Sequence, residues 1–189
     1  MHKNHLVLGT PLHAPFPAHL QAALFGMGCF WGVEKLFWSV KGVDITMVGY
    51  AGGQDEAPDY QSVCTGETGH CEVVRLFYDP AVVSYQELLI LFWNSHHPCQ
   101  GMRQGNDIGS QYRSAIYCYT AEQLDSAVRS REKYGRALIK AGITTAISTE
   151  IGNAPPFYYA EDYHQQYLAA NPNGYCSLVG SGVTYPADG

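Results

Sequence analysis

The chain has 189 residues, 46% of them hydrophobic, and this predicts a single domain with a sizeable core. Its 11 lysines and arginines against 17 aspartates and glutamates give a formal net charge of −6, so a nucleic-acid-binding surface is not expected. The longest apolar run, residues 88–93, is far too short to cross a bilayer, so a membrane protein is not expected either.

The first 20 residues contain no long apolar segment of the kind found in signal peptides. We therefore interpret residues 1–20 as an arm that is mobile or packed on the surface, and we expect a cytoplasmic protein. The six cysteines include no C-x-x-C pair, so we expect reduced thiols at rest instead of a disulfide framework or a thioredoxin-like motif. The folded domain is expected to comprise residues 21–189.

In the first half of the chain, hydrophobic patterning predicts strands that alternate with helices. The elements are, in order, a buried strand at 22–27, a helix at 29–40 that ends before Gly42, a strand at 43–50, a polar loop at 52–69, a strand at 72–78 and a helix that begins after Ser84. Ser84 and Glu87 have the spacing of a capping box, and Pro98 ends this helix.

The second half predicts one further strand, helix and strand before an irregular region. The elements are a glycine-rich loop at 99–111, a strand at 114–119, a helix capped by Thr120 that runs to about residue 141, a strand at 144–151, a mostly irregular segment from 155 and a short helix near 161–168. Residues 171–189 are interpreted as a flexible tail. The order β-α-β-β-α-β plus an extra α-β predicts an α+β fold, a ferredoxin-like two-layer sandwich of the split β-α-β type.

The sequence GCFWG at residues 28–32 places one cysteine, Cys29, at a strand-to-helix turn. The N-terminus of a helix favours a thiolate, and the flanking glycines allow a close approach. Phe30 and Trp31 are suited to form an apolar wall that holds a methyl-bearing or sulfonium-like group. The alternative is a buried, inert cysteine in an aromatic core.

Glu72 opens a strand whose alternate residues are apolar. If that face is covered, desolvation raises the pKa of Glu72 and makes it a proton donor near neutral pH. The alternative is an ordinary glutamate in water at the end of a strand. The polar segments 101–107 and 111–113 either line a pocket or form solvated surface.

Cys176 lies in the predicted tail, where a mobile thiol could meet a sulfenic acid and form a disulfide with it. The alternative is a surface thiol without a role. Only the fold can decide whether this cysteine reaches Cys29.

Two other sets of residues would suit different chemistry. Soft metal ligands are offered by His96, His97 and Cys99 together with His70 and Cys71, but their spacing matches no standard zinc pattern. Cys29 with a histidine base, His70 or His164, would suit a hydrolase or an acyl-transferase, although no local hydrolase signature accompanies it.

Together, these segments resemble peptide methionine sulfoxide reductase of the A type over about residues 22–183. The matching segments, in the family's order, are GCFWG at 28–32, TGHCE at 68–72, 101–107, 111–116, 156–168 and GYC at 174–176. The resemblance implies a thiol-dependent reductase that converts methionine-S-sulfoxide, free or in peptides, to methionine. We expect no cofactor, no metal and a monomer.

The resemblance also implies roles for individual residues. Cys29 attacks the sulfoxide sulfur, Phe30 and Trp31 hold the S-methyl group, and Glu72 protonates the sulfoxide oxygen. Cys29 then becomes a sulfenic acid.

Four further roles follow from the same resemblance. Tyr60 and Tyr112 hydrogen-bond the sulfoxide oxygen, and Asp107 is a supporting carboxylate. Cys176 is the resolving cysteine that forms a disulfide with the nucleophile, and thioredoxin reduces that disulfide.

The chain departs from the family's pattern at two positions. Thr184 lies near the place where some members carry a second recycling cysteine, so a single-disulfide relay is predicted. Cys71 adjoins Glu72, where the family commonly has a small residue, and could form an off-pathway disulfide. The alternatives to a reductase are a cysteine hydrolase or acyl-transferase, and a non-enzymatic module that binds peptides through aromatic side chains.

Overall fold

The computed structural model describes residues 3–187 and has a mixed α+β fold. The strands are β1 (Gln21–Met27), β2 (Val43–Ala51), β3 (Cys71–Tyr78), β4 (Arg103–Gln104), β5 (Asp107–Ile108), β6 (Ser114–Cys118), β7 (Glu150–Asn153) and β8 (Phe157–Tyr159). The helices are α1 (Phe30–Trp38), α2 (Tyr60–Cys64), α3 (Tyr85–Ser95), α4 (Ala121–Lys140) and α5 (Tyr167–Ala170), with a 3-10 turn at Ser110–Tyr112.

Six strands form the main sheet in the order β7-β6-β1-β3-β2-β8. β1 pairs antiparallel with β3 and β6, β2 pairs antiparallel with β3 and β8, and β7 pairs parallel with β6. In consequence β1 and β2 end at the same edge of the sheet where β3 and β6 begin. The loops that follow or precede these strands therefore meet at that edge.

The main core lies between one face of the sheet and helices α1, α3 and α4. It is rich in aromatic side chains, among them Phe25 of β1, Phe37 of α1 and Trp93 of α3. On the opposite face, Leu12 of the N-terminal segment packs against Met47 and other apolar side chains of the sheet. Both faces of the sheet are thus covered, as burial of its apolar side chains requires.

Two of the predicted helix starts are confirmed by their caps. Ser84 and Glu87 form the reciprocal capping box at the start of α3, with the Ser84 N–H donating to Glu87 Oε2 at 2.8 Å. Thr120 caps α4, where its side-chain oxygen accepts from the N–H of Gln123. These signals are local, so they could be read directly from the sequence.

The two predicted loops are more ordered than expected. The first contains α2, whose capping box joins Asp59 and Ser62. The second contains the β4–β5 hairpin and the 3-10 turn. Elements of two to five residues are too short to show a hydrophobic period, which is why the sequence did not reveal them.

The predicted strand at 144–151 is wrong over most of its length. Only Glu150–Asn153 joins the sheet, as β7 beside β6. The preceding segment turns away, because the N–H and the side-chain hydroxyl of Ser148 both bond to the carbonyl of Pro98. Apolar β-branched residues there resemble a strand without having a partner to pair with.

The predicted helix near 161–168 is also misplaced. The helix α5 covers Tyr167–Ala170, and the residues before it form turns. Gln166 has a left-handed backbone with φ +49°, which prevents the helix from beginning earlier. The region that was expected to be irregular also contains β8, which pairs with the end of β2.

The two ends of the chain are only partly covered by the structure. Residues 1–2 of the predicted arm and 188–189 of the predicted tail lie outside the described residues. Residues 171–187 contain no helix or strand, and their flexibility stays a prediction. Within residues 3–187, no helix combines the length and the apolarity needed to cross a membrane.

Candidate active site

Cys29 is the N-cap residue of α1 and is separated from the end of β1 only by Gly28. The turn depends on Gly28, whose φ of +92° lies in the left-handed region that side chains disfavour. A Cβ atom at position 28 would lie 2.7 Å from the Gln104 side chain, so glycine also lets β4 approach the turn. The strand-to-helix position predicted for Cys29 is therefore confirmed.

Glu72 lies beside Cys29 because β3 begins at the edge where β1 ends. The residue is 2% exposed, and its Oε2 accepts a hydrogen bond of 2.9 Å from the N–H of Phe30. Burial, with a smaller effect from Asp107, raises the pKa of Glu72 to about 8, although the Phe30 hydrogen bond opposes this. Glu72 is therefore a protonated acid at neutral pH, and the alternative of a glutamate in water is wrong.

The thiol of Cys29 keeps its proton in this structure. Burial raises the pKa of Cys29 far above the usual thiol value, and Glu72 and Asp107 add to the effect. A backbone hydrogen bond from Trp31 acts in the opposite direction but is weaker. The expectation that the helix N-terminus would favour a thiolate is thus outweighed by desolvation.

Both groups face a small cavity of about 190 Å³. It is lined by Cys29, Phe30, Trp31, Tyr60, Glu72, Asp107, Tyr112 and Tyr175. Seven of the eight residues predicted from the sequence therefore meet in one pocket, although they come from five separate segments of the chain. The eighth, Cys176, lies outside this cavity.

The two predicted phenols remain neutral hydrogen-bond donors at neutral pH. A hydrogen bond with the Cys64 side chain, together with burial, raises the pKa of Tyr60 to about 12. Burial and the neighbouring Glu72 raise the pKa of Tyr112 well above its usual range. The cavity therefore offers O–H donors beside a protonated carboxyl group.

Asp107 connects the cavity with the C-terminal tail. Its Oδ1 accepts a hydrogen bond of 3.0 Å from the hydroxyl of Tyr175. Its Oδ2 is buried and has no hydrogen-bond partner among the described residues. Tyr175, the neighbour of Cys176, was not predicted as a site residue because its place in the cavity depends on the path of an irregular tail.

The side chains of Phe30 and Trp31, the predicted aromatic wall, pack against the segment that precedes α5 and against the first residue of α5. The indole Nε1–H of Trp31 donates to Nδ1 of His164 at 3.0 Å, and the Trp31 ring stacks on Tyr167 with the ring centres 3.9 Å apart. The centre of the Phe30 ring lies 5.2 Å from that of the His164 ring. These contacts restrict the rotamers of both wall residues.

Glu161 of the same segment organises two tyrosines. Its two carboxylate oxygens accept hydrogen bonds from the Tyr50 hydroxyl at 2.9 Å and from the N–H of Tyr60 at 2.7 Å. The second bond holds the start of α2, and thereby the Tyr60 phenol, against the pocket. The only sequence signal was an acidic residue inside the aromatic-rich segment 156–168.

Glu34 is a second buried carboxyl group, and it was not predicted from the sequence. It accepts hydrogen bonds of 2.7 Å from both the N–H and the side-chain amide of Gln166, and one of 3.1 Å from Thr46. Burial raises the pKa of Glu34 to about 7. The pattern of α1 alone gives no sign of this contact, because the partner lies 132 residues downstream.

Cys176 lies beside α1, outside the cavity. A Cβ atom at Gly32 would be 2.6 Å from the Cys176 Sγ, so this thiol lies against α1 at the residue three positions after Cys29. Cys176 is exposed, whereas Cys29 is buried.

The alternative functions receive little support from the histidines. Both ring nitrogens of His70 are engaged, with the N–H of Gly53 at 3.1 Å and the carbonyl of Asp55 at 2.8 Å. The Nδ1 of His164 accepts from Trp31 and its Nε2 has no hydrogen-bond partner among the described residues, so neither candidate base is bonded to the Cys29 thiol.

The metal site considered for the peptide-binding alternative is not formed. The ring nitrogens of His96 contact the Phe92 carbonyl and the Ser114 hydroxyl, at 2.8 and 2.7 Å. No cluster of metal ligands occurs within residues 3–187.

Comparison with known proteins points to one family. A family model described as peptide methionine sulfoxide reductase matches residues 21–184. Peptide methionine sulfoxide reductase MsrA of Rhodospirillum centenum is 62% identical over 182 residues, which cover 96% of this chain and 83% of that protein.

Solved structures agree with the sequence comparison. Methionine sulfoxide reductase A of Corynebacterium diphtheriae is 44% identical with a TM-score of 0.85, covering 96% of this chain and 89% of that chain. Mxr1 from Saccharomyces cerevisiae in reduced form is 33% identical with a TM-score of 0.77, covering 86% of this chain and 91% of that chain. With its family model, close relative and shared fold, this chain belongs to the peptide methionine sulfoxide reductase family, type A.

Proposed function

We propose that this protein reduces methionine-S-sulfoxide, free or in peptides, to methionine, with Cys29 as nucleophile and Glu72 as acid. The observation that carries the proposal is a buried, protonated carboxyl group that shares one small cavity with a cysteine thiol. A sulfoxide oxygen is a poor leaving group until it is protonated. An acid and a thiol in one pocket are therefore the minimum requirement for the reaction.

The remaining pocket residues have matching roles. Phe30 and Trp31 form an apolar wall of the cavity, suited to the S-methyl group. The hydroxyls of Tyr60 and Tyr112 donate to the sulfoxide oxygen beside the Glu72 carboxyl. The free Oδ2 of Asp107 offers an acceptor to a polar group of the substrate.

The proposed step conserves protons and electrons. Glu72 gives its proton to the sulfoxide oxygen while the Cys29 sulfur attacks the sulfoxide sulfur, and the thiol proton moves to Glu72. The attack forms a transient S–S bond, and the protonated oxygen then moves to the Cys29 sulfur. An S–O bond to Cys29 forms as the substrate S–O bond and the transient S–S bond break. Methionine leaves reduced by two electrons, and Cys29 becomes a sulfenic acid, oxidised by two.

Cys176 then resolves the sulfenic acid. Its sulfur attacks the Cys29 sulfur, an S–S bond forms, and the hydroxyl leaves with the thiol proton as water. Thioredoxin is the proposed reductant of this disulfide, and the exposure of Cys176 supports access by a protein thiol. The structure of Mxr1 in complex with Trx2 has the same fold.

Mass spectrometry after one equivalent of methionine-S-sulfoxide, without reductant, tests the function. We expect one equivalent of methionine and a Cys29–Cys176 disulfide. The Cys29→Ser variant should release no methionine. Methionine release by that variant, or none by the wild type, would contradict the proposal.

We also propose a ferredoxin-like, split β-α-β core within one catalytic domain, residues 21–189, preceded by the arm at 1–20. The order β6-β1-β3-β2 with antiparallel pairing supports this topology. A tail at 171–189 that carries the resolving cysteine, a monomeric state and a cytoplasmic location belong to the same proposal.

A further inference from the structure

Gly32 is a glycine that its backbone does not require. It lies inside α1, and its φ is not in the left-handed region. Glycine weakens the interior of a helix relative to alanine, so its presence there calls for a reason outside the helix.

The reason is the approach of the C-terminal tail. A Cβ atom on Gly32 would lie 2.6 Å from the Cys176 Sγ and 3.4 Å from the side chain of Leu178. The space that a side chain would occupy at position 32 is therefore taken by the Cys176 thiol.

The tail is anchored on both sides of this thiol. Before it, the Tyr175 hydroxyl donates to Asp107 at 3.0 Å. After it, Leu178 packs against the main core. Two anchors one and two residues away restrict where the thiol can lie.

The Cys176 thiol lies on the same side of α1 as Cys29. Residues three apart are neighbours on a helix surface, and Gly32 follows Cys29 by three. The proximity of Cys176 also contributes to the raised pKa of the Cys29 thiol.

We propose that Gly32 is a positioning residue for the resolving step, because its missing side chain seats the Cys176 thiol against α1 at the residue three positions after Cys29. This inference rests on the proposed function. When Cys29 becomes a sulfenic acid, the seated thiol forms the S–S bond over a short path and water leaves. Holding two reacting groups in place converts a slow encounter into a fast intramolecular step.

The test compares Gly32→Ala with Gly135→Ala on α4, where a new Cβ would meet only the Ile147 side chain at 3.8 Å. Each variant receives one equivalent of methionine-S-sulfoxide without reductant, and timed samples are analysed for methionine, dimedone-trapped sulfenic acid and disulfide. For Gly32→Ala we expect normal methionine release, accumulated sulfenic acid and disulfide formation slowed at least about tenfold. Disulfide formation at the rate of Gly135→Ala would overturn the inference.

Two further variants separate the resolving step from an effect on the pocket and from a failure to fold. In a Cys176→Ala background, Gly32→Ala should leave methionine release unchanged, and slower release there would overturn the inference because position 32 would then act on the pocket. If Gly32→Ala does not fold, Leu178→Ala removes one anchor and should also slow the disulfide, and an unchanged rate overturns the inference. A wild type that releases no methionine would contradict the proposed function itself, a result distinct from all of these.

Discussion

Cys29 and Glu72 both hold protons at neutral pH, although a nucleophile and an acid are usually assigned opposite protonation states. Burial raises the pKa of both groups, and the Glu72 carboxyl adds to the rise at Cys29. In the proposed mechanism, the pair therefore has one proton for the sulfoxide oxygen and a second that returns to Glu72. Desolvation disfavours an isolated Cys29 thiolate, and at Glu72 it keeps the carboxyl group protonated.

At the residue scale, Glu72→Gln should slow methionine release by roughly 100-fold or more, because an amide cannot supply the proton. The difference in the rate of methionine release between Glu72→Gln and the wild type should become smaller toward low pH, where solvent can protonate the sulfoxide. Quenched first-turnover kinetics across a pH series measures both effects. Glu67→Gln, an exposed residue near the start of β3, is the control, and equal rates for the two variants would remove Glu72 from the mechanism.

A second residue-scale prediction concerns Cys176→Ser. The first equivalent of methionine should still form, because Cys176 lies outside the cavity. Cycling driven by thioredoxin should stop, since no disulfide can form. Steady-state turnover with thioredoxin and its reductase measures the loss, with Val179→Ala, an exposed tail residue, as the control. Cycling at the wild-type rate would contradict the relay.

At the scale of elements, the segment between β8 and α5 holds α1, β2 and α2 in place. Its Glu161 bonds Tyr50 and Tyr60, its Gln165 bonds both backbone groups of Val48, and its Gln166 bonds Glu34. Side-chain bonds to the backbone of neighbouring elements replace the regular helix that was predicted here. This segment therefore supports the aromatic wall without lining the reaction cavity itself.

Glu34→Leu tests that support. It removes the acceptor of two buried donors of Gln166, so we expect a loss of roughly 2 to 4 kcal/mol in the free energy of unfolding. The KM for sulfoxide should rise as well, because His164 and Tyr167 lose their hold on Trp31. Urea unfolding and initial rates measure the two effects. Glu132→Leu, at an exposed glutamate on α4, should change neither the free energy of unfolding nor the KM. A wild-type free energy of unfolding in Glu34→Leu would contradict the stabilising role of Glu34.

Long elements with local signals were predicted well, and short ones were not. The caps at Ser84 and Thr120 involve only residues within one helical turn, so a short window of sequence contains all of their partners. The hairpin β4–β5 and the strand β8 depend on pairing partners elsewhere. Pairing is a property of two segments, which a single window of sequence does not contain.

At the scale of the whole molecule, the sheet order assembles the site. Because β1 and β2 end where β3 and β6 begin, Cys29, Glu72 and Tyr112 are delivered to one edge. The loops at that edge and the tail then close the cavity. No single strand or helix contains enough of the site to act alone.

Global stability should depend on pH through the buried Glu34. Its pKa is about 7 in the folded protein against an ordinary value of 4.5, so the folded state keeps a proton that the unfolded state releases. This stabilisation is complete below pH 4.5 and is lost as the pH rises through about 7, at on the order of 1 kcal/mol per pH unit. Urea unfolding from about pH 4 to about pH 8 should show a steeper decline for the wild type than for Glu34→Gln, and parallel curves would contradict the assignment.

The sequence by itself identified the residues for which we propose catalytic roles, because the turn at Cys29, the strand at Glu72 and the order of the family's segments are local features. Only the tertiary structure decided how these residues behave. It buried Glu72 so that it keeps its proton, seated Cys176 against Gly32, and joined Glu34 to Gln166 and Trp31 to His164 across 132 and 133 residues. Burial and long-range contacts depend on what the rest of the chain places around a residue, and that information is absent from its own neighbourhood in the sequence.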